Sequence, residues 1–357
     1  MNAPTLPLFD RYPRLARAHP VAGLLQGATP VEPLHGAGGV FIKRDDLTAA
    51  DYGGNKIRKL DFLLADARAR GRETVQVFGY AGSNFVAATA WHGRKLGLRT
   101  IAGLLPQVPA DYIVDNLSVA LASGAQLFLR DNQNALIAEA LLRSVQAFVR
   151  DRAIPVWIPP GGSNALGALG FVNAAFELKQ QIDAGALPAP RKIVLAFSSM
   201  GTVAGLALGL KLAGIPAGIT AVQVVAEHQA GRTTLAALLE KLIALLRRQN
   251  LTTPDANEIL AGVEIREEFF GGEYARATPE TRAAIERFSA ESGARADSAY
   301  SGKALACLYA DLMSARLPTP ALYWHTLSAS RRPPGIARAA REAAPAALRH
   351  YWDSASA

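Results

Sequence analysis

From Glu73 onward the chain alternates short apolar runs with helical patterns: ETVQVFG, SNFVAATAWHGRKLG, RTIAGLL, DYIVDNLSVALASG, QLFLR. Few folds accept that order. Strand, helix and strand in succession predict parallel βαβ units, whose crossover helices cover the faces of a buried sheet. The helices are expected to stop at Gly71, Gly97 and Gly124, where a left-handed residue is wanted. A second series runs from VWIPP at 156–160 through a helix after Ser163, the strand IVLAF, its helix, and ITAVQVV at 219–225. Two α/β sets in 357 residues predict two lobes with a site between them. The polar stretch 247–257 reads as a loop.

Composition narrows the class. The chain is 50% hydrophobic and 19% charged, ordinary for a globular protein, so disorder is excluded. A single cysteine, Cys307, rules out an internal disulfide and a multi-cysteine zinc site. The first twenty residues lack an apolar core after a basic flank, so no secretory signal is expected and a cytoplasmic setting fits best. Residues 193–210 carry no charge and place Gly201, Gly205 and Gly209 at GxxxG spacing, yet the break at SSMGT reads as strand, loop and helix rather than a membrane span. The formal charge of +8 is scattered. Arg331, Arg332, Arg338, Arg341 and Arg349 lack interleaved aromatics, so a solvated terminal segment is expected and a nucleic-acid partner is not. Basic character also suits capture of an anionic substrate or a phosphorylated cofactor.

Several standard sites fall away on inspection. Gly302-Lys303 is no Walker loop, because Asp297 stands where its first glycine belongs and Ala304 replaces the magnesium-binding hydroxyl. GxGxxG, GxSxG and HExxH are absent, and no metal site is expected. His325 reads as a strand-end core residue. What remains is a set of glycine-rich junctions. In the first, Gly53-Gly54-Asn55 precedes Lys56, which opens a helix with Ile57, Leu60 and Leu64 on one face; on spacing alone Lys56 is either a surface lysine or an amine activated by a positive helix start. Ser198 to Thr202 joins a strand to a helix, where free amides and hydroxyls could cup a phosphate or merely make the turn. Gly82-Ser83-Asn84 and Gly161-Gly162-Ser163-Asn164 carry capping signals. Tyr300-Ser301-Gly302-Lys303 is the fifth.

In this order, KRDDL, GGNKIRKL, GSN, PPGGSNALGALGF, SSMGTVAGLALG, YSGKA and YWHT resemble the D-cysteine desulfhydrase and 1-aminocyclopropane-1-carboxylate deaminase family over residues 28–326. The resemblance implies a two-domain α/β fold of pyridoxal-phosphate fold type II, similar to the tryptophan synthase β chain. It implies a large domain of 1–59 and 165–357, a smaller inserted α/β domain of 60–164, and a homodimer. By the same pattern Lys56 bonds pyridoxal 5'-phosphate and relays protons, Ser199, Met200, Gly201 and Thr202 bind its phosphate, and Asn84 meets its ring hydroxyl. Ser83, Asn84, Phe85 and Gly162 would receive a small amino-acid substrate, with Ser83 near the reacting carbons. Tyr274 and Tyr300 would flank cofactor and substrate.

Ser301 corresponds to the position facing the pyridine nitrogen, where the deaminase branch carries Glu and the desulfhydrase branch a hydroxyl. It implies β-elimination from a cysteine-like amino acid, giving pyruvate, ammonia and a thiol or sulfide. The alternative is ring opening to 2-oxobutyrate and ammonia. Three positions depart from the pattern. Gly82 replaces the usual Gln, Phe85 the usual His or Gln, and Met200 a small residue, which points to a larger, more apolar pocket for a bulkier cysteine-type substrate or to redirected chemistry.

Overall fold

The computed structural model describes residues 6–110 and 112–355. Ten strands form among them: β1 Val31–Pro33, β2 Val40–Arg44, β3 Thr74–Tyr80, β4 Arg99–Leu105, β5 Gln126–Leu129, β6 Val156–Ile158, β7 Lys192–Phe197, β8 Gly218–Gln223, β9 Val263–Arg266 and β10 Ala321–His325. They make two sheets, a six-stranded one in the order β1-β2-β10-β7-β8-β9 and a four-stranded one in the order β5-β4-β3-β6. Only the β1–β2 pair is antiparallel. The larger sheet joins distant parts of the chain, with Tyr323 of β10 opposite Ile42 of β2 on one side and Val194 of β7 on the other. Helices shield both sheets, so the central strands are largely apolar; every residue of β10 is buried.

The sequence pattern explains the helices. Gly71, Gly97 and Gly124 all have positive φ and follow helices Lys56–Ala69, Asn84–Lys95 and Tyr112–Ala122. The uncharged stretch at 193–210 divides between β7 and the helix Gly201–Leu212. Its GxxxG spacing serves packing, because a Cβ at Gly205 would lie 2.2 Å from the Ala168 carbonyl oxygen of the helix Ala165–Asp183. Among the described residues no helix is long and apolar enough to cross a membrane. His325 is buried at the end of β10, against Phe288 and Tyr323.

A buried ionic network fixes the helix that starts at Lys56. Arg58 donates to both oxygens of Asp45 at 2.7 and 2.8 Å and to both of Glu177 at 2.8 and 2.9 Å. Lys43 also pairs with Glu177, and Trp324 Nε1 donates to Asp45 at 2.7 Å. Two cations thus face two carboxylates in the interior, so neither sign is left uncompensated.

The C-terminal segment departs from the solvated tail expected of it. Arg331, Arg332 and Arg338 gather 3.6–3.9 Å from Asp115, and the Ala339 amide donates to Ser118 Oγ at 2.8 Å. Tyr351 and Trp352 are buried. Apolar burial by these two aromatic rings outweighs the hydration of the scattered arginines, whose charged heads stay at the surface.

Candidate active site

The loops after the C-terminal ends of β3, β7 and β10 enclose a cleft of about 790 Å³. Strand ends in parallel sheets are where ligands are expected, since helices starting there aim free amides at one point. Lys56, Ser83, Asn84, Phe85, Ser199, Met200, Thr202, Tyr274 and Tyr300 all line it.

Lys56 opens its helix as the spacing predicted. Gly54 before it has φ 105° and approaches the Ser328 backbone, a conformation and a space that suit glycine alone. Lys56 Nζ donates to Asn55 Oδ1 at 3.0 Å and stands 6.0 Å from the centre of the Tyr300 ring. Burial lowers its pKa to about 8, opposed by the charge of Asp297. Desolvation, rather than the helix dipole invoked from sequence, is therefore the dominant cause. Asp297 was not anticipated. Its carboxyl lines the cleft, burial raises its pKa, and the amides of Tyr300 and Ser301 pull the other way. Tyr274 and Tyr300 are hydrogen-bonded hydroxyl to hydroxyl, and Tyr80 stacks on Tyr274 with ring centres 4.5 Å apart. Lys303 holds the Tyr274 segment by donating to the carbonyls of Phe270 and Glu273.

The loop Ser198–Met200 also lines the cleft. The Gly201 amide donates back to the Ser199 carbonyl at 2.8 Å, closing a three-residue turn around Met200, whose φ of 66° and ψ of −34° are strained for a side chain-bearing residue. A Cβ at Gly161 would fall 2.1 Å from Ser199 Oγ. Beside this turn lies Lys59, fully buried, donating to the Gly161 carbonyl at 3.1 Å and to Ser163 Oγ at 3.2 Å. Among the described residues it has no carboxylate partner. Burial, reinforced by the charge of Lys56, drives its pKa well down. A buried amine beside a turn that carries hydroxyls can pair with an anion, whose charge would favour its protonated form. Only the second lysine's distance of three from Lys56, one helical turn, could have signalled it in the sequence.

Ser83 caps the helix Asn84–Lys95, accepting the Val86 amide at 3.3 Å. Asn84 Oδ1 accepts from Asn116 Nδ2 at 2.8 Å. Three expected site residues do not line the cleft. Gly162 lies behind it, where a Cβ would meet Leu63 and Phe85 at 2.9 and 3.1 Å. Gly201 faces Ser163. Ser301 is fully buried with its hydroxyl accepting the Asp297 amide at 2.7 Å, an N-terminal turn bond that directs it away from the cleft.

Residues 23–322 match the family described as "Pyridoxal-phosphate dependent enzyme". The chain belongs to that family. A D-cysteine desulfhydrase of Serratia proteamaculans is 34% identical over 325 residues, spanning 86% of this chain and 93% of the relative. Nocardicin C-9' epimerase of Nocardia uniformis subsp. tsuyamanensis is 32% identical over 325 residues, spanning 90% and 92%. Among solved structures, an ACC deaminase homologue superposes with a TM-score of 0.76 at 29% identity, covering 88% of this chain and 93% of that one. Threonine deaminase isoform 2 of Solanum lycopersicum shares the fold, at 15% identity and a TM-score of 0.59. The site of this pyridoxal-phosphate-dependent enzyme fits its cofactor, with the Lys56 amine of lowered pKa and the hydroxyl residues Ser198, Ser199 and Thr202 lining the same cleft.

Proposed function

We propose that this enzyme eliminates the β-substituent of a D-cysteine-like amino acid, yielding pyruvate, ammonia and a thiol or sulfide. The observation that carries the reading is Lys56, an amine with pKa near 8 in a cleft shared with a neutral phenol pair. Lys56 would attach the pyridoxal phosphate aldehyde, and Ser199, Thr202 and Lys59 would hold its phosphate. The bound cofactor supplies the electron sink that makes the substrate's α-proton removable. Lys56 takes that proton, the C–S bond breaks with its electron pair leaving on sulfur, and water releases ammonia from the resulting enamine. Ser83 and the Asn84 helix start would orient the substrate carboxylate.

A second reading concerns substrate size. Phe78, Leu105, Leu136, Ile137 and Trp157 line the cleft beyond Phe85, an apolar wall suited to a bulkier S-substituent. Keto-acid identification by mass spectrometry separates the possibilities. Pyruvate from D-cysteine is expected. 2-Oxobutyrate from 1-aminocyclopropane-1-carboxylate, with no pyruvate from D-cysteine, would reverse the assignment.

We also propose a homodimer and a cytoplasmic setting, the latter resting on the single, buried thiol. The smaller domain is taken as the segment carrying β3 to β6, with its first seam after Ala69 instead of at residue 60, because the helix Lys56–Ala69 runs unbroken through that point. Support for the dimer comes from the helix Gln133–Asp151, where Ile137, Leu141, Val145 and Phe148 form one exposed apolar stripe flanked by Leu142 and Val149. The charges beside it are already paired, Arg143 with Glu139 and Arg150 with Asp151. A second copy of the stripe would meet no unmatched charge.

A further inference from the structure

The apolar wall of the cleft is built around a tryptophan that the fold leaves open. Trp157, on the edge strand β6, lines the cleft and is 37% exposed. Its ring lies against Phe78 of β3, with centres 5.2 Å apart and planes tilted by 56°. Its one polar atom is tied back behind the wall. Nε1 donates to Ser144 Oγ at 2.9 Å, Ser144 Oγ donates to Gln76 Oε1 at 2.8 Å, and Gln76 Nε2 donates to the Ala140 carbonyl at 3.0 Å. Gln76 of β3 and Ser144 of the helix Gln133–Asp151 are both buried, where polar side chains cost stability unless paired. Their pairing here fixes the indole ring and uses its N–H, so Trp157 offers the cleft apolar surface alone. A Cβ at Gly103 would lie 3.0 Å from Leu136 Cδ1 and 3.1 Å from Phe78 Cδ1, so the wall is packed from behind by glycine. Apart from phenols, the ionisable side chains lining the cleft are Lys56, His228 and Asp297, and none comes from β3, β4, β6 or the helix Gln133–Asp151.

We propose that this wall is a subsite for an aromatic S-substituent, which makes aromatic thioethers of D-cysteine the substrate class. Trp157 determines that specificity, and Ser144 is the positioning residue that holds its ring. The inference rests on the elimination reading above. A flat, uncharged ring suits the wall, because aromatic rings pair offset or edge to face, whereas an ionic substituent would meet no counter-charge there. An indole already immobile loses little freedom when a ligand covers it. The step balances as the elimination does: the Cβ–S bond breaks, its electron pair stays with sulfur, which takes a proton and leaves as an aromatic thiol, and one water is consumed in releasing ammonia.

The test measures pyruvate formed from S-benzyl-D-cysteine and from D-cysteine by the cofactor-loaded enzyme. The wild type should show a kcat/KM about tenfold higher for S-benzyl-D-cysteine, the effect of burying one ring. Trp157→Ala should lower the ratio of the two kcat/KM values by about tenfold. Ser144→Ala, which unties the indole, should lower that ratio by about threefold through a raised KM for the S-benzyl substrate. Ser144→Thr, which keeps the hydroxyl, should restore it. A wild-type preference for D-cysteine, or an unchanged ratio in either alanine variant, would overturn the proposal and leave elimination standing. If the wild-type enzyme makes pyruvate from neither substrate, the elimination reading itself is overturned, and this inference with it.

Discussion

At the residue scale the cofactor cleft is decided by two lysines one helical turn apart, made different by what surrounds them. Lys56 reaches the cleft and keeps a pKa near 8, while Lys59 lies beside the Ser199–Gly201 turn with no carboxylate partner among the described residues. Replacing it tests that assignment. Lys59→Met should raise the Kd for pyridoxal 5'-phosphate at least tenfold, read by fluorescence titration, while leaving the affinity for phosphate-free pyridoxal unchanged. An equal loss for both ligands would mean that Lys59 supports the fold rather than the phosphate. The motifs made Lys56 and the Ser199 turn legible, because glycines and hydroxyls at strand-to-helix junctions have few other uses in such density. Lys59 and Asp297 were not legible. Each acts through burial or through a contact between distant segments, and neither leaves a local pattern.

At the scale of elements, the helix Lys56–Ala69 is held by charge as much as by its apolar face. Burial alone would raise the pKa of Glu177, but the charges of Arg58 and Lys43 overcome it and bring it down to about 2. A carboxylate with a depressed native pKa contributes stability above its ordinary value of 4.5 and loses that contribution as pH falls toward 2. Denaturant titrations should therefore show stability dropping by about 3 kcal/mol from this group across that window. In Glu177→Gln the same segment of the pH curve should be flatter; an unchanged slope would remove Glu177 as its source. The strand and helix order was readable from hydrophobic period alone. The GxxxG spacing at 201, 205 and 209 was ambiguous in sequence, since close backbone approach serves a membrane pair and a soluble pair equally well. Only the Ala168 carbonyl beneath Gly205 identifies the partner.

At the scale of the whole molecule, two sheets meet so that both sets of strand ends look into one cleft, and the C-terminal segment closes over the Tyr112–Ala122 helix. That closure was invisible in the sequence, where scattered arginines masked the burying power of Tyr351 and Trp352. The exposed stripe on the Gln133–Asp151 helix bears on assembly. Val145 is 60% and Phe148 46% exposed, so charged replacements there should spare the fold. Sedimentation velocity should find a dimer for the wild type and a monomer for Val145→Glu with Phe148→Glu, with matching circular dichroism. A wild-type monomer, or a variant that dimerises equally well, would exclude this face as the interface.

The central claim is that Lys56 attaches the cofactor, and two further, buried lysines near the site, Lys59 and Lys303, make this a discriminating question. Borohydride reduction of the loaded enzyme followed by peptide mass spectrometry answers it directly. The pyridoxyl phosphate adduct is predicted on the peptide carrying Lys56 and on no other. An adduct on Lys59 or Lys303 instead, or none on an enzyme that retains its colour before reduction, would contradict the account.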